Sequence, residues 1–255
     1  MRKSKMLADR LNTRTNNGFG RIIWAFDETN NPFTKFKDIF DQLQDNIAAV
    51  KLNRQLILPF GLQNKELLKM ISRITDADIP LIMDAKINDF VANEFIAKSY
   101  FEAGFDAIIC TPFIGEAGLE PIITTAKDLK KDFIFLTYMS HPSSDFGYGR
   151  KVLLSDQEKA ELQKKTAYFY ELFAHLTNKL GASGNIVGAT YPEKISEIRA
   201  IVRKEKLIMS PGIGKQGGDI KKCREMGMDY AIIGRSITNN YKPIEYINQI
   251  NELLI

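Results

Sequence analysis

The sequence predicts a single α/β domain over residues 1–255, closed as a (β/α)8 barrel, and three observations predict it. Short apolar runs alternate eight times with stretches of helical periodicity. The runs are continuously apolar rather than strictly alternating, as parallel strands covered on both faces should be. Polar and ionisable residues gather at their C-terminal ends, the end at which such barrels build their sites. A chain of 255 residues also suits a fold that typically takes about 250.

The runs, in order, are 21–27 (RIIWAFD), 48–53 (AAVKLN), 80–86 (PLIMDAK), 107–112 (AIICTP), 133–139 (FIFLTYM), 184–190 (GNIVGAT), 206–212 (KLIMSPG) and 230–236 (YAIIGRS). Between them lie amphipathic segments such as 66–74 and 91–103, with Leu, Ile and Phe at helical spacing. The longest interval separates the fifth and sixth runs. Its first part, 140–155, is rich in Gly, Ser and Pro and reads as a mobile loop, and a long helix is expected over about 156–180. Loops of that length are often lids or binding loops, with a purely structural excursion as the alternative.

Composition narrows the classes. The chain is 44% hydrophobic and 26% charged, with a net charge of +4. Its lysines fall in solvated helical faces such as 127–131. No basic stripe with interleaved aromatics is visible, so nucleic acid is not an expected partner. Cys110 and Cys223 form no CxxC pair, His141 and His175 are far apart, and no metal-ligand spacing is present, so no metal is expected. Asp9, Arg10 and Asn12 interrupt the stretch where a signal peptide needs an apolar core. No run approaches the ~18 apolar residues of a membrane span. A cytoplasmic protein without membrane partners is expected.

Strand ends carry the chemistry. The first run ends in Asp27, the second contains Lys51, and the third contains Asp84 and Lys86; Thr111, Ser140, Thr190 and Arg235 close later ones. Single residues such as Thr111 and Thr190 read as turn formers or helix caps. Asp27, Lys51, Asp84 and Lys86 differ, because charges buried at a barrel mouth must be paired, and these are two of each sign on three consecutive strands. In Asp84-Ala-Lys86-Ile-Asn-Asp89, the two-residue period of a strand puts Asp84 and Lys86 on one face. Asp89 lies past the strand end, where it could cap the next helix; a structural salt bridge plus a cap is the open alternative for this motif. After the seventh run comes Pro211-Gly-Ile-Gly-Lys-Gln216-Gly-Gly-Asp219, whose glycines let backbone amides face an anion. Gly234-Arg235-Ser236 follows in the eighth. Loops seven and eight hold the phosphate in phosphate-binding barrels, and Arg235 has a donor fork suited to it.

These residues resemble the orotidine 5′-monophosphate decarboxylase family, in its short microbial form, over nearly the whole chain. The motifs that carry the likeness are Asp84-x-Lys86-x-x-Asp89, Met139-Ser140-His141-Pro142, Gly188-Ala189-Thr190, the Pro211–Asp219 loop and Gly234-Arg235-Ser236. The resemblance implies a cofactor-free enzyme that converts orotidine 5′-monophosphate to UMP, and a homodimer with shared sites. It implies an array of Lys51, Asp84, Lys86 and Asp89 in which Lys86 protonates C6 and Asp84 faces the departing carboxylate. Lys51 holds Asp84, and Asp27 bonds a ribose hydroxyl. Asp89 crosses to the partner's site, with Asn93 beside it among the substrate contacts. Ser140 meets the pyrimidine, Gln216 bridges it to the phosphate, and Pro211, Gly234 and Arg235 complete the substrate contacts.

Two departures stand out. Trp24-Ala25-Phe26 replaces the family's usual smaller aliphatics, and Phe90 and Asn93 stand where Ile and Thr are common. Compensating core changes are the favoured explanation, which makes Trp24 a core residue rather than a ligand platform. The rivals are a magnesium-dependent sugar-phosphate lyase related to the family (hexulose-6-phosphate synthase or keto-gulonate-6-phosphate decarboxylase) and a non-catalytic nucleotide-binding barrel.

Overall fold

Ten strands form among the described residues: β1 (Ile22–Phe26), β2 (Ala49–Asn53), β3 (Leu81–Ile87), β4 (Ala107–Cys110), β5 (Asp132–Tyr138), β6 (Lys151–Leu153), β7 (Thr166–Tyr168), β8 (Gly184–Val187), β9 (Leu207–Pro211) and β10 (Tyr230–Ile233). The computed structural model describes residues 6–214 and 217–254. Eight of these strands close a barrel in the order β1-β10-β9-β8-β5-β4-β3-β2, and every neighbouring pair in it is parallel. Each barrel strand is followed by a helix that returns the chain to the other end, such as Pro32–Leu43 after β1, Lys65–Asp76 after β2 and Asn93–Glu102 after β3. This is the (β/α)8, or TIM-barrel, architecture expected from the eightfold alternation.

Both faces of the barrel wall are covered, which explains the continuously apolar runs. β1, β4, β8 and β10 are buried at every position. Trp24, Phe26, Phe36 and Phe40 fill the layer between β1 and helix Pro32–Leu43, with Trp24 stacked on Phe36 at 5.7 Å between ring centroids. Trp24 is thus a core residue, as its neighbours required.

Helix Leu7–Asn16 closes the N-terminal end of the barrel. Its Leu7 and Leu11 are buried, the Leu7 amide donates to Asp132 Oδ2 at 2.7 Å, and Arg10 pairs with Asp106 at 2.8 Å. With that end sealed, the open cleft lies at the other.

The interval between β5 and β8 differs from the expected loop and long helix. Residues 140–155 hold a short helix (Ser144–Gly147) and β6, which pairs antiparallel with β7. Helix Asp156–Leu162 lies between the two strands, fastened by a capping box of Ser155 and Glu158. It stops at Gln163, which adopts a left-handed backbone with φ +54°. The expected helix over 156–180 therefore breaks at 163–168 and restarts as Phe169–Leu180. Thr166-Ala167-Tyr168 carries a β-branched and an aromatic residue suited to a strand, and pairing with β6 decides the matter.

Candidate active site

The cleft at the C-terminal ends of the strands has a volume of about 310 Å³. Ala25, Ile109, Leu136, Ile186 and Ile232, one each from β1, β4, β5, β8 and β10, supply its apolar lining. Asp27, Lys51, Asp84 and Lys86 line it as well, so the three strands β1 to β3 do bring the four charges together.

Their signs alternate. Lys51 Nζ lies 3.8 Å from Asp27 Oδ1 and 2.8 Å from Asp84 Oδ2. Asp84 Oδ1 in turn accepts from Lys86 Nζ at 2.6 Å. Lys51 and Asp84 are almost fully buried. Burial by itself would push Lys51 down, but Asp84 and Asp27 outweigh it and hold the ammonium above the ordinary lysine range. Burial likewise works to raise Asp84, and the two lysines beside it reverse the balance and lower it. Both groups are ionised at neutral pH. Asp27 Oδ1 is buried and, beyond the ion pair with Lys51, has no hydrogen-bond partner among the described residues.

Lys86 reaches this line through an irregular backbone. The β3–β4 register shifts between Met83 and Ile87, and Lys86 has φ +46°, a conformation that a residue with a Cβ adopts at a cost of about 1 kcal/mol or more. Strict two-residue alternation placed Asp84 and Lys86 on one face, and both line the cleft, but a bulge rather than a regular strand presents the lysine.

Ser140 lies at the rim just past β5. Two side chains past β8 hold its segment: Thr190 donates to the Ser140 carbonyl at 3.0 Å, and Tyr191 donates to the His141 carbonyl at 3.1 Å. Thr190 therefore braces the Ser140 loop instead of capping a helix. Thr111 donates to the Ile87 carbonyl at 3.3 Å and likewise makes no helix-cap bond.

Pro211, Gly212, Ile213, Gly234, Arg235 and Ser236 form the opposite wall. Gly214 has φ +79°, and a Cβ there would come 2.6 Å from Ser236 Oγ, so glycine is required where the two loops touch. Arg235 is exposed at the mouth and has no ion-pair partner among the described residues. Gln216 lies outside the described residues.

Asp89 and Asn93 do not line this cleft. Asp89 is exposed, and its Oδ1 accepts from the Phe90 amide at 2.6 Å. The same oxygen accepts from the amide of Ala92 at 3.5 Å, and Ala92, not Asp89, is the residue at the N-cap of the following helix. Asn93 is fully buried beneath Asp89. Its Nδ2 donates to the carbonyls of Asp89 (2.8 Å) and Gly118 (2.7 Å). Phe90, Val91 and Phe95 project into solvent around them.

Asn53 is a lining residue that sequence reasoning did not single out, and Met139, Gly212, Ile213 and Ser236, which lie within quoted motifs, line the cleft without having been given a role. Asn53 was within reach, since it lies two residues beyond Lys51 and so on the same strand face; its Oδ1 accepts from the Gln55 amide at 3.2 Å. No group of three or more His, Cys, Asp or Glu suited to a metal occurs among the described residues. No helix among them is long and apolar enough to cross a membrane.

A closed parallel barrel with a lined cleft at its C-terminal mouth defines an α/β-barrel enzyme. The chain belongs to the orotidine 5′-phosphate decarboxylase / HUMPS family, whose model matches residues 20–250. It is 32% identical over 215 residues to orotidine 5′-phosphate decarboxylase of Methanosarcina mazei, covering 84% of this chain and 86% of that protein. Its identity to the enzyme of Thermococcus kodakarensis is 32% over 219 residues, covering 86% and 90%. The crystal structure of orotidine 5′-monophosphate decarboxylase from Methanocaldococcus jannaschii, complexed with the inhibitor BMP, superimposes with a TM-score of 0.71 at 26% identity, over 92% of this chain and 98% of that one.

Proposed function

We propose that this protein decarboxylates orotidine 5′-monophosphate to UMP and carbon dioxide, the last step of de novo pyrimidine nucleotide synthesis, without a cofactor. The observation that carries the reading is the alternating line Asp27–Lys51–Asp84–Lys86 in the cleft. Family membership and the names of the relatives support the same reaction.

The reaction breaks the bond between C6 and the carboxylate, and the electron pair stays on C6. No cofactor takes up that charge, so a fixed cation must lie beside it. Lys86 is that cation; it stabilises the carbanion and then gives C6 its proton. Asp84 faces the substrate carboxylate and repels it, and the repulsion vanishes as neutral carbon dioxide forms. At ~4 Å and an effective dielectric near 20 the repulsion is about 4 kcal/mol, or roughly three decades in rate. Lys51 keeps Asp84 ionised and in place. The remaining stabilisation comes from Lys86 and from binding energy gained at the phosphate and ribose.

Asp27, which lines the cleft, accepts from a ribose hydroxyl. Ser140 meets the pyrimidine edge, and Pro211, Gly234 and Arg235 face the phosphate together with Gln216. Asp89 serves a neighbouring subunit's cleft in a cytoplasmic homodimer; its exposed place outside its own cleft, amid projecting Phe90, Val91 and Phe95, supports this, whereas Asn93 is buried and braces the Asp89 carbonyl rather than touching substrate. The test is the ultraviolet absorbance of orotidine 5′-monophosphate mixed with purified protein in EDTA. Loss of the substrate band with formation of UMP is expected. An unchanged band, with turnover of a pentulose or hexulose phosphate on adding magnesium, would transfer the protein to the sugar-phosphate lyases.

A further inference from the structure

The turn after β10 is fastened to the barrel wall by a side chain that the reaction does not use. Trp24, in the middle of β1, is fully buried and lies outside the cleft, against helix Pro32–Leu43. Its indole N–H donates to Thr238 Oγ1 at 3.1 Å. The Thr238 hydroxyl then donates to the Gly234 carbonyl at 3.3 Å. That carbonyl also accepts the amides of Ile237 (2.9 Å) and Thr238 (3.1 Å).

Gly234 is an unusual residue to hold in place. Its φ of −112° and ψ of −99° lie outside the ordinary backbone wells, and a Cβ there would come 2.9 Å from the Ala25 carbonyl on β1. β1 therefore touches this turn twice: Ala25 sets its distance, and Trp24, through Thr238, sets its orientation. The peptide between Gly234 and Arg235 is planar and trans, so fixing the carbonyl fixes the Arg235 amide in the opposite direction.

We infer that Trp24 is a positioning residue for the anion grip at Gly234 and Arg235, acting through the Thr238 hydroxyl. The inference rests on the reading that this turn holds the substrate phosphate.

The test compares inhibition by UMP, which carries the phosphate, with inhibition by uridine, which does not. Trp24→Phe keeps a stacked ring but loses the N–H, and Thr238→Val keeps the shape but loses the hydroxyl. Each is expected to weaken UMP by about three- to tenfold, the worth of one buried hydrogen bond, with uridine inhibition unchanged. Combining the two should add little, since both break the same relay. Thr238→Ser, which keeps the hydroxyl, should restore wild-type UMP inhibition. Should Trp24→Phe fail to fold, Thr238→Val against Thr238→Ser makes the same comparison.

Equal losses for UMP and uridine would mean a general packing role, and no loss would mean no role; either overturns the inference. Arg235→Ala separates this from the reading beneath it. If Arg235→Ala weakens UMP strongly and Trp24→Phe does not, the inference alone fails. If Arg235→Ala leaves UMP inhibition intact, the phosphate reading fails and takes the inference with it.

Discussion

Asp84 and Asp132 sit at opposite ends of the barrel, both almost wholly buried, and their surroundings drive them in opposite directions. Asp84, near the C-terminal end of β3, lies between Lys51 and Lys86 and is held below the usual carboxylate range despite its burial. Asp132, at the start of β5, has no ion-pair partner among the described residues, and only the more distant Lys206 favours its charge. Burial raises it, and the bonds from Ser183 and the Leu7 amide only partly offset that. Helix Leu7–Asn16 covers the Asp132 end, while the Asp84 end opens into the cleft. The same residue type thus fastens a plug at one end and, at the other, lies between two lysines in a cavity where the proposed chemistry takes place.

Changes at the two ends should therefore fail in different ways. Of the changes that set the two ends apart, the larger effect is expected for Asp84→Asn, which on the proposed mechanism removes the repulsion against the substrate carboxylate. Steady-state turnover should show kcat/KM lower by about three decades. Denaturant titration should show that Asp84→Asn also loses about 3 kcal/mol, because buried Lys51 keeps only the more distant Asp27 as an ion-pair partner. At the sealed end, Asp106→Ala deprives Arg10 and Lys131 of their shared carboxylate. A loss of about 2–3 kcal/mol in stability is expected there, with kcat unaltered; a fall in kcat would show that the ends are coupled.

Their pH dependences should diverge too. Asp84 is lowered in the folded state, so its contribution to stability is full above the ordinary aspartate range and fades as pH falls through the lowered value. Lys51 is raised, so its contribution persists below the ordinary lysine range and fades only as pH climbs past the raised value. Asp132 has the opposite sign to Asp84. Its folded state holds the proton more tightly, so stability declines as pH rises from the ordinary aspartate value to the raised one. Asp132→Asn should consequently change neutral-pH stability by no more than ~1 kcal/mol, and thermal melts across the acid range should flatten. A melt that stays as steep as wild type would assign that slope elsewhere.

The smallest expected effect separates two left-handed residues. Lys86 bears its φ at the cleft, whereas Gln163 bears a similar one in the hairpin. Gln163→Gly relieves that backbone and should raise the melting temperature by roughly a degree or two. Turnover should not change.

The sequence made some of these features visible and hid others. The barrel strands were legible because burial on both faces leaves continuous apolar runs, and the charged line was legible because strand ends there are polar where all else is apolar. The β6–β7 hairpin was not. Lys151–Leu153 is largely exposed, three residues carry too little pattern, and its partner lies beyond an intervening helix. The Ser155–Glu158 capping box, a local signal for the start of that helix, was there to be read. The bulge at Lys86 left no local mark either, since nothing in Ala-Lys-Ile demands φ +46°; the barrel wall imposes it. Trp24 read correctly as core, but its hydrogen bond to Thr238 depends on closure of the first strand against the last.

The central claim is that the cation at the open end of this line does the chemistry. It is tested most directly by following orotidine 5′-monophosphate absorbance with Lys86→Ala at enzyme concentrations above substrate, with UMP binding measured in parallel. The account predicts a loss of about four decades or more in the single-turnover rate, in a folded protein that still binds UMP. Decarboxylation by Lys86→Ala within tenfold of wild type would contradict it.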